Sequence, residues 1–334
     1  MKSINLFILF FLLFTGNLIA QSSETKISGY AQGTTYHINY IDPLHRNFEN
    51  DIADLLLRFD ASLSTYVPTS IISRVNANDK HVQIDSLFIV CFKKAKEVWH
   101  QTQGAFDPTV YPIVNAWGFG PGKKQFLDSA IVDSMLHFVD FDLIQLKGNK
   151  ILKKDKRVAL DFNAFAQGYS VDVVAQFLKS KGVQSFLVEI GGEVLACGKK
   201  IDGSLWTVGI EQPYDNKEGH NDVKAIASMH NLAMATSGNY RRYTEINGVK
   251  YAHHIDPHTG YPTQNNLLSA SVFAADCISA DAYATGLLVM GLEKAKTFLQ
   301  QHNELQAYLI YSDEQGQFQI YQTPGLQYIL TETE

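Results

Sequence analysis

Apolar residues recur along this chain with two distinct periods. From Asn50 to Leu63 they fall at Ile52, Leu55, Leu56, Phe59 and Leu63, the spacing of one helix face. Asp85 stands where it would cap a second helix, running to about Thr102 and stopped by Gly104. A third helix is expected from Asn163 to Lys181, with Gly182 as its stop. A fourth covers Ile278 to Met290, so rich in Ala and Leu that it has almost no polar face, and a short helix ends near His302. Strands are expected over Thr34 to Tyr40, Arg157 to Asp161, Gln184 to Glu189, Leu205 to Glu211 and Lys224 to Met229, and as a final pair about Gln315-Gly316. Asn247-Gly248, between Tyr243 to Ile246 and Val249 to Ala252, is the strongest hairpin signal. Only Asp215 to Asp222 reads as a polar loop, and no repeat or Pro/Ser linker appears. Strands and helices mix without regular βαβ alternation. The expected fold class is therefore α+β, with mixed or antiparallel sheets and packed helices.

The first twenty residues break this pattern. Lys2 precedes an apolar run from Ile4 to Phe14, interrupted only by Asn5, and small residues lead to Ala20. That layout is a secretory signal, with cleavage expected after Ala20; the competing reading is a buried N-terminal helix. The run is shorter than the roughly 20 apolar residues that span a bilayer. Asn17 occupies the place of a lipidated Cys, so no lipid anchor is expected. The division is thus a signal over residues 1–20 and one unit over 21–334, exported to the periplasm without an anchor.

Composition narrows the partners. Of 334 residues, 46% are hydrophobic and 19% charged, and the net charge of −6 becomes −7 without the signal. No Lys/Arg stripe exists, which argues against a duplex nucleic-acid ligand. Cys91, Cys197 and Cys277 are far apart and form no Cys-x-x-Cys, so buried thiols are expected rather than a disulfide framework or zinc site.

Three constellations carry candidate chemistry. Asp281 and Thr285 lie four residues apart on one face of the apolar helix. A buried carboxylate with a neighbouring hydroxyl is a hard-oxygen pair that suits Mg²⁺; the alternative is an Asp spent on a hydrogen bond near the helix start. His253-His254-Ile255-Asp256-Pro257-His258-Thr259-Gly260 follows the hairpin and presents three histidines from a turn, the side chain best suited to proton transfer near neutral pH. Adjacent His253 and His254 are expected on opposite faces of a strand. Finally, Gly104 to Thr109 and Val114 to Pro121 read as loops, the second with Trp117 among glycines, where backbone and an indole can approach a planar ligand. Gly191-Gly192-Glu193 and Gln167-Gly168-Tyr169 allow similar approach. No Gly-x-Gly-x-x-Gly follows a strand and no Walker A sequence exists, so the common nucleotide folds are unsupported.

In order along the chain, eleven segments resemble the ApbE family, the FAD:protein FMN transferases. They are Gly33-Thr34-Thr35-Tyr36, Leu63-Ser64-Thr65-Tyr66, Ser73-Arg74-Val75-Asn76, Gly104 to Thr109, Val114 to Gly120, Leu160-Asp161, Ala166-Gln167-Gly168-Tyr169, Val188 to Glu193, Thr236 to Arg241, His253 to Gly260 and Ala280 to Thr285. The resemblance implies an ApbE-like, T-fold-related architecture and an exported, Mg²⁺-dependent enzyme. Such an enzyme cleaves FAD, attaches FMN to a Thr of an exported FMN-binding acceptor of a redox complex, and releases AMP. By the family pattern the metal sits between Asp281, Thr285 and the carbonyl of Ala164, and His253 handles the proton. FAD lies along Gln32, Tyr66, Ala116, Trp117, Gly118, Asp161, Gln167 and Ile255. The chain departs from the pattern at Gln32, often Met, at Tyr66, often Trp, and at Gln167, commonly Lys or Glu.

An FAD pyrophosphatase giving FMN and AMP would share all these parts. A non-catalytic exported flavin carrier would not need Asp281, Thr285 and His253 together. FAD-contacting segments spread from residue 32 to 285, which implies one site built by distant parts of the chain.

Overall fold

A computed structural model describes residues 23–122, 124–213, 223–239, 243–246 and 249–333. In chain order the elements begin with strands β1 (Glu24–Ala31) and β2 (Thr34–Ile41). Helices α1 (Glu49–Leu63), α2 (Ile71–Asn76), α3 (Ser86–Gln101), α4 (Tyr111–Trp117) and α5 (Ser129–Leu136) follow. Next come the hairpin β3 (Ile144–Lys147) and β4 (Lys150–Lys153), helix α6 (Ala166–Ser180), and strands β5 (Ser185–Ile190) and β6 (Glu193–Cys197). Strands β7 (Trp206–Glu211), β8 (Val223–Met229), β9 (Leu232–Gly238), β10 (Tyr243–Ile246), β11 (Val249–Ala252) and β12 (Leu267–Ala274) lead to helices α7 (Cys277–Met290) and α8 (Leu292–Gln301). Strands β13 (Gln306–Ser312), β14 (Phe318–Gln322) and β15 (Leu330–Glu332) complete the described chain.

Strands drawn from residues 24 to 322 share one sheet, in the order β1-β2-β5-β6-β9-β12-β13-β14. Every neighbouring pair is antiparallel. The fold class is α+β. Side chains alternate across the sheet and meet different partners on its two faces. On one, Ile38, Tyr40, Phe186, Val188 and Ile190 pack against Ile52 and Leu56 of α1 and Val171, Val174 and Leu178 of α6. On the other, Val194, Phe273, Tyr308 and Ile310 pack against a three-stranded sheet of order β15-β8-β7, through Trp206, Ile210, Ala225 and Met229. Helix α7 lies against β9, β12, α6 and α3, and its residues from Cys277 to Ala284 are all buried. Its apolar composition thus has a direct cause: its first two turns are buried on every side.

Most expected elements are present, with three corrections. Arg157 to Asp161 is not a strand. Its backbone partners are not a ladder: the Asn76 side chain bonds both the N–H and the carbonyl of Leu160, and the Asp161 N–H donates to the Pro108 carbonyl. Helix α6 starts at Ala166 rather than Asn163, because the preceding residues turn at Phe162, whose carbonyl accepts the N–H groups of Phe165 and Ala166. The stretch around Trp117 is not a loop but the last turn of α4, which ends at Gly118 in the left-handed region (φ 87°) that a Cβ would disfavour. Cys91 and Cys277 are buried free thiols, whereas Cys197 is half-buried. Strands β10 and β11 pair antiparallel as expected, while Asn247-Gly248, Asp215 to Asp222, Tyr240, Arg241 and the expected signal over residues 1–20 lie outside the described residues. Among the described residues no helix is long and apolar enough to cross a membrane.

Candidate active site

The start of α6 and the first two turns of α7 bring together the oxygen donors. Asp281 is only 6% exposed, and its Oδ2 accepts the Gly168 N–H at 2.9 Å. Burial holds its carboxyl well above the usual carboxylate range; the Gly168 bond offsets part of that, and the nearby Asp172 carboxylate adds to it. One turn on, the Thr285 hydroxyl donates to the Ala164 carbonyl at 3.2 Å. With that proton so placed, Ser237 Oγ, 3.1 Å from Thr285 Oγ1, is the donor in the second bond. A carboxylate and a hydroxyl of α7 thus meet a carbonyl from the turn before α6. Among the described residues, no cationic side chain offsets the burial of this carboxyl. This donor set fits a hard divalent cation.

The turn before α6 links these donors to two further expected positions. Asp161 Oδ1 accepts the Asn163 N–H at 2.8 Å, and Asn163 Nδ2 donates to Thr65 Oγ1 at 2.9 Å, beside Tyr66. Burial lifts the Asp161 carboxyl to about 6. The Tyr66 ring is 59% exposed and open to stacking. Gln32 sits in the two-residue turn between β1 and β2, in the left-handed region (φ 55°) with Gly33 (φ 76°), as a type I′ hairpin requires. Its amide oxygen lies 3.2 Å from Ser170 Oγ, itself bonded to the Gln167 carbonyl, and its buried Nε2 has no hydrogen-bond partner among the described residues. Gln167 lies over Gly191, where an added Cβ would come within 3.0 Å of its amide nitrogen.

The histidine segment forms the other half. The Trp117 indole N–H donates to the Gly260 carbonyl at 2.9 Å, Ile255 bridges to Pro262, and Ile113, Trp117 and Ile255 pack as one buried cluster. Ala116 is wholly buried, and its carbonyl accepts the Gln125 N–H. His253 and His254 do not point apart: their rings lie 3.9 Å apart at 43°. The chain has left β11 at Ala252, so strand alternation no longer applies. His254 is buried, and its Nδ1–H donates to Asn239 Oδ1 at 3.0 Å. Burial, helped by His253, drives its pKa well below 6.5, so the ring is neutral. His253 also meets the Phe119 ring edge-on. His258 bonds Asp256 and the Gln103 carbonyl, which fastens this loop to the Gly104 turn.

The end of β9 joins the halves: Ser237 holds Thr285, and two residues later Asn239 holds His254. Ala164, Asp281 and Thr285 are therefore together, with Gln167 and Gln32 along the same helix start and Tyr66 and Asp161 tied in through Asn163. Trp117 supports the histidine loop through Ile255 and Gly260, and Ala116 and Gly118 flank it at the end of α4. Nothing in the sequence assigns a role to Ser237, Asn239 or Asn163; the one signal is that Ser237 and Asn239 stand in a segment that resembles the family.

Comparison with known proteins gives a consistent picture. The pattern of the ApbE family matches residues 32–309. An FAD:protein FMN transferase of Haemophilus influenzae is 38% identical over 318 residues, covering 90% of this chain and 91% of that protein. One from Vibrio cholerae is 34% identical over 305 residues, covering 88% and 90%. Among solved structures, a flavin transferase from Vibrio cholerae superposes with a TM-score of 0.82 at 31% identity, over 92% of this chain and 99% of that one. A Thermotoga maritima relative gives 0.79 at 26% identity, over 93% and 100%.

Proposed function

This chain belongs to the ApbE family, and from that premise we propose that it is an exported, Mg²⁺-dependent FAD:protein FMN transferase acting as one unit over residues 21–334. The observation that carries the reading is the convergence of the Asp281 carboxylate, Thr285 hydroxyl and Ala164 carbonyl beside the first turn of α6.

Asp281, Thr285 and the Ala164 carbonyl would hold Mg²⁺, whose chemistry when bound is to neutralise the charge of a pyrophosphate in transfer. Gly168 fixes one Asp281 oxygen and leaves the other to face the ligand. Ser237 donates to Thr285 and so leaves the hydroxyl oxygen oriented. The exposed Tyr66 ring stacks on a planar part of FAD, and the Gln32 amide meets a polar edge. Trp117, Ala116, Gly118 and Ile255 shape the wall, with Asp161 and Gln167 supplying polar contacts. His253 accepts the proton of the acceptor Thr hydroxyl as that oxygen bonds to the FMN phosphorus. The bond from this phosphorus to the bridging oxygen breaks, and AMP leaves with that oxygen. His254, neutral and held by Asn239, keeps the His253 ring in place.

The test is to incubate the protein with FAD, Mg²⁺ and an FMN-binding acceptor domain, reading intact mass and AMP. A covalent FMN adduct on the acceptor with stoichiometric AMP is expected. AMP and free FMN without an adduct would make it a pyrophosphatase, and tight FAD binding without turnover a carrier.

A further inference from the structure

Helices α6 and α7 cap each other. The N-cap residue of α6, Phe165, has no side chain that can accept a hydrogen bond. Its third N–H, that of Gly168, is satisfied instead by Asp281 of α7 at 2.9 Å. Four residues along α6, Asp172 returns the contact: its Oδ1 accepts the Cys277 N–H and its Oδ2 the Ile278 N–H, each at 2.8 Å. These are the first two residues of α7, and the third, Ser279, is capped by Asp276, the residue just before the helix, at 2.9 Å. Gly168 and Asp172 share the spacing of Cys277 and Asp281, so the two helix starts are related by a reciprocal exchange of carboxylate and amide. At Gly168 they meet backbone to backbone, since an added Cβ would lie 2.5 Å from the Cys277 carbonyl oxygen.

The consequence lies in where the oxygen donors reside. Ala164 precedes α6, whereas Asp281 and Thr285 ride on α7. Their mutual spacing is therefore set by the register between the helices, and a shift of α7 along its axis would move two donors away from the third.

We propose that Asp172 is a positioning residue for the transfer reaction: its two-pronged hold on the first turn of α7 sets the distance of Asp281 and Thr285 from the Ala164 carbonyl, and with it the affinity for the divalent cation. This rests on the reading of those three groups as a cation site. Asp276 provides the contrast, because it caps α7 from the residue just before it and does not tie the helix to α6.

The experiment titrates Mg²⁺ into wild-type protein, Asp172→Asn and Asp276→Ala by calorimetry, and measures metal-free FAD affinity and urea stability for each. Wild-type uptake of one Mg²⁺ is expected. Asp172→Asn, which can accept only one of the two N–H groups, should bind Mg²⁺ at least tenfold more weakly with FAD affinity unchanged within twofold. Asp276→Ala should lose comparable stability yet keep its Mg²⁺ affinity within twofold. A folded Asp172→Asn with wild-type Mg²⁺ affinity, or an equal loss in Asp276→Ala, would overturn the proposal by reducing Asp172 to a stabilising cap. Should Asp172→Asn not fold, Asp172→Glu carries the comparison: it keeps the charge but displaces α7, and wild-type affinity there overturns the proposal equally. No Mg²⁺ uptake by the wild-type protein would remove the cation reading itself, and this inference with it.

Discussion

The indole N–H of Trp117 donates to the backbone carbonyl of Gly260, 143 residues away, at 2.9 Å. This bond ties the end of α4 to the loop that carries His253, and Tyr261 packs edge-on against the same ring. Trp117→Phe keeps most of the apolar contact but leaves the Gly260 carbonyl without its buried donor, a cost of about 1–3 kcal/mol. Urea unfolding should show that loss, and the KM for FAD should rise because the loop loses an anchor. Wild-type stability in this variant would mean that the loop is held by its other contacts alone.

Removing the carboxylate at 281 separates binding of the ion from stability. A ligand at a hundred times its Kd stabilises the folded state by about 2.7 kcal/mol. Saturating Mg²⁺ should therefore raise the unfolding midpoint of the wild-type protein and leave that of Asp281→Ala unmoved, and the variant should show no AMP release. Full activity of Asp281→Ala in Mg²⁺ would sink the metal assignment.

Asn239 supports His254, whose ring lies 3.9 Å from that of His253. Asn239→Leu would strand a buried imidazole N–H, at about 1–3 kcal/mol. His254 would then turn to find another acceptor and carry His253 with it. We expect kcat to fall at least tenfold with Mg²⁺ affinity unchanged, measured by AMP release and calorimetry. A normal kcat would show that His253 needs no such support.

How far these relationships were legible in the sequence depends on whether they are local. An apolar run from Ile278 to Met290 carrying one Asp and one Thr four residues apart announces a buried polar pair on one helix face, and α7 has it. The partners of that pair come from elsewhere. Nothing local in Asp172 says that it holds Cys277 and Ile278, or in Ser237 that it meets Thr285. Strand β12 is not legible in the sequence because both of its faces are covered, so Leu267–Ala274 lacks the alternation of a half-buried strand. Strand β1 is an edge with Ile27 as its only buried residue, and shows no apolar face. Arg157 to Asp161 has the composition of a strand, but Asn76 and Pro108 take its hydrogen bonds. Glycines at 118 and 120 made the residues around Trp117 look like a loop, although Gly118 is where a helix stops.

Asp107 gives a pH dependence that is independent of any ligand. Its carboxylate accepts the Thr109 N–H and hydroxyl and the Phe141 N–H, yet burial still lifts it from 3.8 to about 6. The folded protein then binds more protons than the unfolded chain between those values, so stability falls as pH rises through this window. A change of that size corresponds to about 3 kcal/mol. Asp107→Asn cannot titrate, so the stability of the wild type relative to this variant should drop by about that amount from pH 4 to pH 7. A difference that stays constant across urea titrations at these pH values would show that the carboxylate is ionised throughout.

Gly168 tests the helix contact from its other side. An added Cβ would meet the Cys277 carbonyl oxygen at 2.5 Å and Asp281 Cβ at 2.7 Å, and both obstacles are rigid. Neither can swing away as the end of a long side chain would, so α6 and α7 must separate. Overpacking of this kind costs about 1–3 kcal/mol. Against that stands the gain of a better helix former, about 1 kcal/mol for Gly to Ala at an unconstrained interior site. The clash should win, because Gly168 is not free: its N–H must stay within reach of Asp281 Oδ2. Gly168→Ala is therefore expected to be less stable than wild type in urea and to bind Mg²⁺ more weakly, because the helix that carries Asp281 and Thr285 has been pushed from Ala164. An increase in stability would mean that the helices can part without cost, and that their close approach is not what positions the carboxylate.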